Sequence, residues 1–181
     1  VEFFGGSVNT SSGAYVTPET AERVAAVYSC VTVLTESVAQ LPLFLYRRSP
    51  DGKRREKDYA HPLYELLHSQ PNRYQTAFEF WEMAIGHLAL RGVAYAEKIA
   101  ARGKGLAALI PLHPDRVRAF IAPDGNVAYE YAPLDGERRV ILHHEMFCMR
   151  GRGSEPLKPK SPVAVQRETL GRAMTMQEFG G

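Results

Sequence analysis

The chain has 181 residues, 45% of them hydrophobic, with 22 Lys or Arg against 20 Asp or Glu, a formal charge of +2, and two cysteines. That size suits one moderately large domain or two small ones, and folding would bury roughly 70% of the surface an unfolded chain exposes, so a core is attainable without staples. No apolar run reaches about 18 residues and no charged start leads into a hydrophobic stretch, so neither a membrane span nor a signal peptide is read here, and near-neutrality argues against a dedicated, tight nucleic-acid binder.

Residues 1–16 cluster Gly, Ser, Asn and Thr without periodicity and are expected to form a mobile arm. Thr17 then offers an N-cap with Pro18 at the first helical position. Val24, Val27, Tyr28, Val31, Leu34, Val38 and Leu41 follow three-and-four spacing, which predicts one buried stripe on a helix of about six turns, ended by Pro42. Leu43 to Arg48 reads as a strand turning at Pro50-Asp51-Gly52.

A short apolar helix (Pro62, Leu63, Leu66, Leu67) leads to the turn Gln70-Pro71-Asn72. Thr76 and Glu79 then form a capping box ahead of a strongly apolar helix closed by Gly92. That helix carries Phe78, Phe80, Trp81 and Met83 and is apolar on more than one face, as a helix shared between packed layers or neighbouring subunits would be. These four are the candidate subunit-interface residues, and His87 on the same helix reads as a core or interface histidine.

Strand-like runs follow at 93–100, 106–112, 116–121, 127–132 and 138–142, separated by Gly103-Lys104-Gly105, a His-Pro-Asp corner, Asp124-Gly125-Asn126 and Asp135-Gly136. Short connections predict antiparallel pairing in a β-meander. With helices before and after it, the fold class is α+β. Residues 151–161 form a Gly/Pro-rich basic loop, and residues 162–181 begin a further helix. The expected organisation is therefore an arm (1–16), an α+β domain (17–150), the loop and the helix.

Enzyme chemistry finds little support. His143-His144-Glu145 near Cys148, joined by His113 and Asp115, is the best metal-like cluster, but adjacent strand residues face opposite ways and there is no HExxH. No Gly-x-Ser-x-Gly elbow is present, and Arg102-Gly103-Lys104-Gly105 lies between strands, with no helix N-terminus to offer an anion. No catalytic residue, metal ligand or cofactor is assigned. Cys30 and Cys148 read as buried, reduced thiols. The remaining candidates are Arg150, Arg152, Lys158 and Lys160, spaced along the basic loop and able to touch phosphates or an acidic neighbouring subunit.

The ordered words HPL…LL, QPN, TAFEF and RGVAYAE between His61 and Glu97 resemble the portal proteins of tailed bacteriophages. Ala26 to Arg48, Pro111 to Phe120, the loop from Met149-Arg150-Gly151 to Ser161-Pro162, and Val163 to Gly180 are similar in the same collinear order. Val93 departs from the family, which often has Asn there. The resemblance implies a structural, non-enzymatic subunit of a homo-oligomeric ring, typically a dodecamer, at a capsid vertex. It implies as partners the terminase large subunit, the capsid or scaffold protein, a head–tail adaptor and duplex DNA passing without sequence specificity, with assembly in the host cytoplasm and no membrane. Family members run to about twice this length, so the chain, which starts at Val1 and stops at Gly181, is expected to be the N-terminal, wing-like portion of such a subunit. Another virion ring or adaptor protein, a prophage remnant, and a metal-dependent enzyme built on His113, Asp115, His143 and Glu145 stay open as alternatives.

Overall fold

A computed structural model describes residues 10–103, 105–155 and 157–179. Helix α1 (Pro18–Ala21) starts at Thr17, whose hydroxyl accepts from the Thr20 amide, while the Thr17 amide donates to the Thr20 hydroxyl at 2.8 Å. The helix does not continue for six turns. Val24 adopts extended backbone (φ −76°, ψ 114°), which lets Ala21 and Val24 both reach the core, and α2 (Ala25–Ala39) starts afresh without a side-chain cap.

The predicted stripe is divided: Val24 is buried and Val27 and Val31 pack against the core, while its other residues face outward. Tyr28, Leu34, Val38 and Leu41 are 42–66% exposed, while Thr35 and Ala39 are buried. The reason lies in the partner helix, α4 (Ala77–Arg91): a Cβ added at Gly86 would stand only 3.6 Å from Thr35 Cγ2, so the crossing selects small side chains over large ones. Cys30 is exposed on this helix and Cys148 is partly buried; both are free, so the expectation of two buried thiols fails for Cys30.

Strands β1 (Tyr46–Arg48) and β2 (Arg55–Lys57) form an antiparallel ribbon, and the strand expected from Leu43 is confined to its last three residues. Helix α3 (Pro62–His68) is capped by His61, whose Nδ1 accepts from the Leu63 amide at 3.1 Å. At the start of α4 the Thr76 amide donates to Glu79 Oε2 at 2.7 Å and the Glu79 amide to Thr76 Oγ1 at 3.3 Å, the reciprocal pairing its sequence predicts.

The strands after Gly92 do not form one meander. Strands β3 (Val93–Ala100), β4 (Leu106–Leu112) and β8 (Met146–Arg150) make one antiparallel sheet in the order β4-β3-β8, and β5 (Val117–Ile121), β6 (Val127–Tyr131) and β7 (Arg139–Leu142) make a second. The second sheet is a meander inserted between β4 and β8. Side-chain alternation explains the split. Val93 and Tyr95 join Leu112, Val117, Tyr129, Ile141 and Met146 between the two sheets, whereas Ala96 joins Leu66, Phe80 and Leu109 under the helices. Burying a side chain such as Phe80 or Ile141 fully, as here, contributes about 1.5–3 kcal/mol each. The layers are thus α2, α4, the first sheet and the second sheet, an α+β fold.

Within the basic loop at 151–161, β9 (Gly153–Glu155) pairs with β10 (Lys158–Pro159) as a short antiparallel hairpin. The last helix is divided into α5 (Pro162–Val165) and α6 (Arg167–Phe179). Of the expected mobile arm, residues 1–9 lie outside the described residues, but residues 10–16 pack. Thr10 and Val16 are buried, and Ser11 hydrogen-bonds Glu168 through its hydroxyl (2.7 Å) and its amide (3.2 Å). Among the described residues no helix is long and apolar enough to cross a membrane.

Candidate functional site

The four basic candidates are exposed and come to one place. Arg150 ends β8 opposite Val93, while Arg152, Lys158 and Lys160 lie in or beside the β9–β10 hairpin. The root of this hairpin is fastened to the end of α4. The Gly151 amide donates to the Gly92 carbonyl at 2.8 Å, the Lys160 amide to the Arg152 carbonyl at 3.1 Å, and the Ser161 hydroxyl to the Leu90 carbonyl at 2.7 Å. Gly92 itself is left-handed at φ 77°, ψ 5°, satisfying the α4 C-terminus.

The four candidate interface residues on α4 divide. Phe80 is buried in the chain's own core, at 1% exposure. Trp81 is partly buried, its Nε1–H donating to the Leu67 carbonyl at 3.1 Å and its ring edge-on to Phe80 and Phe147. Phe78 and Met83 are exposed. Part of the apolar surface of α4 is met within the chain by α2 and the first sheet, and outward apolar surface remains at Phe78 and Met83 and, more extensively, on α2. The four-residue spacing of Thr35 and Ala39 is the hint in the sequence, masked by larger apolar neighbours.

Among the described residues the metal-like cluster is not brought together as one group. His143-His144-Glu145 forms a single 3-10 turn between the end of β7 and the start of β8, with Glu145 Oε2 accepting from the Leu142 amide at 3.1 Å and the His143 ring stacked on Tyr129. His113 and Asp115 meet Glu19, and the possible ligand atoms of these three lie within 4.8 Å of one another. Between the carboxylates stands Arg91, its side chain 6% exposed, with Nε donating to both Asp115 oxygens at 2.9 Å and Nη2 pairing with Glu19. The guanidinium supplies the positive charge a metal would bring, and a cation added there would face it at close range. The cluster is an ion-pair staple joining α1, α4 and the turn at 114–116.

Its electrostatics fit that role. Burial first, then the Arg91 and His113 charges, push His87 down to about 4, with the His87 and His113 rings edge-on at 5.4 Å. His113 is also lowered, by burial and Arg91, with Asp115 opposing. For Glu19 burial acts upward, but hydrogen bonds from its own backbone and Thr17, with the Arg91 charge, hold it below the ordinary carboxylate value. Glu19 and Arg91 were not legible as partners in the sequence, because 72 residues separate them.

Comparison with known proteins gives the family. Residues 25–181 match the model of the phage portal protein family. Protein BeeE of Escherichia coli K12 is 40% identical over 110 residues, covering 61% of this chain and 68% of BeeE, and the portal protein of Enterobacteria phage HK97 is 29% identical over 156 residues, covering 86% of this chain and 36% of that protein. In fold, the chain is similar to a solved chain from the neck of an empty gene transfer agent particle, with a TM-score of 0.73, 20% identity, and coverage of 90% of this chain and 45% of that one. It is also similar to an HK97 family phage portal protein from Corynebacterium diphtheriae, with a TM-score of 0.61, 17% identity, and coverage of 97% and 50%. The chain spans little more than a third of the HK97 portal protein and half or less of these solved chains. A collinear match from residue 25 to residue 181, carried by a two-sheet core under paired helices, places this chain in the phage portal protein family.

Proposed function

We propose that this chain forms a sector of a portal ring, a homo-oligomer, typically a dodecamer, at a capsid vertex through which duplex DNA enters and leaves. The observation that carries the reading is the family match across residues 25–181 in a chain whose helix α2 turns Tyr28, Leu34 and Val38 outward, with Leu41 exposed just past its end. On this reading the ring docks the terminase large subunit, which supplies the ATP chemistry, and contacts capsid or scaffold protein and a head–tail adaptor. Its place is the virion, after assembly in the host cytoplasm, and no catalysis is assigned to the chain.

A net charge of +2 suits a conduit. Each phosphate neutralised releases counterions and adds affinity, so a heavily basic channel would hold DNA instead of passing it. Arg150, Arg152, Lys158 and Lys160 serve subunit contacts or weak backbone contacts to passing DNA, and Phe78 and Met83 extend the contact surface on α4.

The test is negative-stain electron microscopy of the complete native reading frame. Closed rings with a hole wide enough for duplex DNA are expected. Only monomers or small compact particles, over a range of salt and protein concentrations, would overturn the reading. One observation keeps a second reading in play. An alignment of 110 residues covers 68% of bacterial BeeE, whereas 156 residues cover only 36% of the HK97 portal protein, so BeeE is much the shorter protein. A stop codon directly after residue 181 in the native gene would favour a remnant over a working portal.

A further inference from the structure

The β1–β2 ribbon concentrates charge that the composition conceals. Between residues 47 and 57 stand Arg47, Arg48, Lys53, Arg54, Arg55 and Lys57 against only Asp51 and Glu56, an excess of four in a chain whose whole excess is +2. All six residues of the two strands are exposed.

The register sorts this charge onto two unlike faces. Arg47 lies opposite Glu56 and pairs with Asp58 at 2.8 Å, so one face is compensated. On the other face Tyr46 lies opposite Lys57, and Arg48 opposite Arg55. Like charges directly across an antiparallel pair repel. Among the described residues no carboxylate stands within ion-pair distance of Arg48, Arg55 or Lys57, and Tyr46 beside them is 54% exposed.

A two-stranded ribbon without an apolar face is marginal by itself, yet this one is propped at its root. The Asp58 amide donates to the Leu45 carbonyl at 2.8 Å, His68 Nδ1 lies 3.0 Å from the Leu43 carbonyl, and the Phe44 ring sits between His68 (5.0 Å) and Lys57 Nζ (3.6 Å). The fold therefore presents a repelling cationic face in a fixed geometry; Lys57 rests on the Phe44 ring, and no carboxylate among the described residues pairs with the face.

We infer that the Tyr46–Arg48–Arg55–Lys57 face is a contact site for the phosphodiester backbone of nucleic acid. Tyr and Arg are common at protein–protein interfaces too, but an Arg facing an Arg beside a Lys, with no carboxylate in reach among the described residues, calls for a polyanion, and the phosphodiester backbone is one. Arginine forks match phosphate oxygens, and a two-stranded ribbon is slim enough to follow a groove of duplex DNA. The site lies outside the β9–β10 hairpin and goes beyond the ring reading. Only the choice of duplex DNA over other nucleic acids rests on that reading.

The test measures binding of the full chain to labelled, random-sequence duplex DNA by fluorescence anisotropy across a KCl series. Arg48→Gln with Arg55→Gln should make the plot of log affinity against log salt shallower by about 0.9 for each of the two cations. Arg47→Gln, on the compensated face of the same ribbon, should leave the slope near that of the parent. With the Arg–Arg repulsion gone, the double variant should melt no lower than the parent. An unchanged slope in the double variant, an equal loss per cation from Arg47→Gln, a lowered melting temperature, or equal dependence of poly-glutamate binding on Arg48 and Arg55 would each overturn the assignment. Rings with an unchanged slope would sink the ribbon contact alone. Absence of rings would sink the portal reading, and the slope would still decide the ribbon.

Discussion

The carbonyl of Lys160 occupies the space where a side chain on Gly92 would begin, and a Cβ built at residue 92 collides with it. This contact locks the end of α4 to the root of the β9–β10 hairpin, so a helix terminus and a basic surface are placed by one residue without a side chain. Gly92→Ala combines a left-handed backbone, which costs an L-residue about 1–2 kcal/mol, with that collision, for an expected loss of roughly 3 kcal/mol or more. Gly125→Ala shares the positive φ (80°) but meets nothing within 4 Å, and should cost only the backbone part, about 1–2 kcal/mol. Urea unfolding of the two variants separates strain from close approach; equal losses would show that the Lys160 contact is soft.

Arg91 is the hub of the buried staple. Replacing it by Met leaves Asp115, poorly exposed, with His113 at 3.6 Å as its remaining partner among the described residues and frees Glu19 toward solvent, and should destabilise the chain by about 3 kcal/mol. The same change removes a positive charge that depresses both His87 and His113, so both should titrate at higher pH. Histidine NMR titration reads this directly, and unmoved values would mean that burial alone sets them.

His87 predicts an acid-sensitive fold. Its folded value of about 4 lies below the ordinary 6.5, so the unfolded chain binds the extra proton first. The associated stability is fully present above about pH 6.5 and is lost as pH falls through about 4, roughly 3 kcal/mol at the limit, at 1.36 kcal/mol per pKa unit. His87→Gln should flatten the stability curve across that window. Unfolding curves for parent and variant at pH 7 and pH 5 test it.

The outward face of α2, continued by Leu41 just past its end, predicts a separation of folding from assembly. Leu34 and Leu41 are 54% and 66% exposed, so Leu34→Glu with Leu41→Glu should change stability by no more than about 0.5 kcal/mol each. On the portal reading the same pair should abolish rings from the complete reading frame, leaving folded monomers in sedimentation and microscopy. Intact rings would move the subunit contact elsewhere on the chain.

Much of this protein was legible locally. The Thr76–Glu79 capping box, the Gly92 stop, the hairpin turns and five strands announce themselves within a few residues, because caps, turns and side-chain alternation are short-range physics. So did the α+β class and the family, whose words lie in one linear order. Tertiary structure alone decided the rest. It set which face of α2 is buried, since a close crossing at Thr35 and Gly86 rewards small side chains over apolar ones. It divided the strands into two sheets, since β8 returns to β3 across an inserted meander. It brought Glu19, Arg91 and Asp115 together and left Arg48 facing Arg55, because such pairings depend on register and on chain paths that no local spacing records.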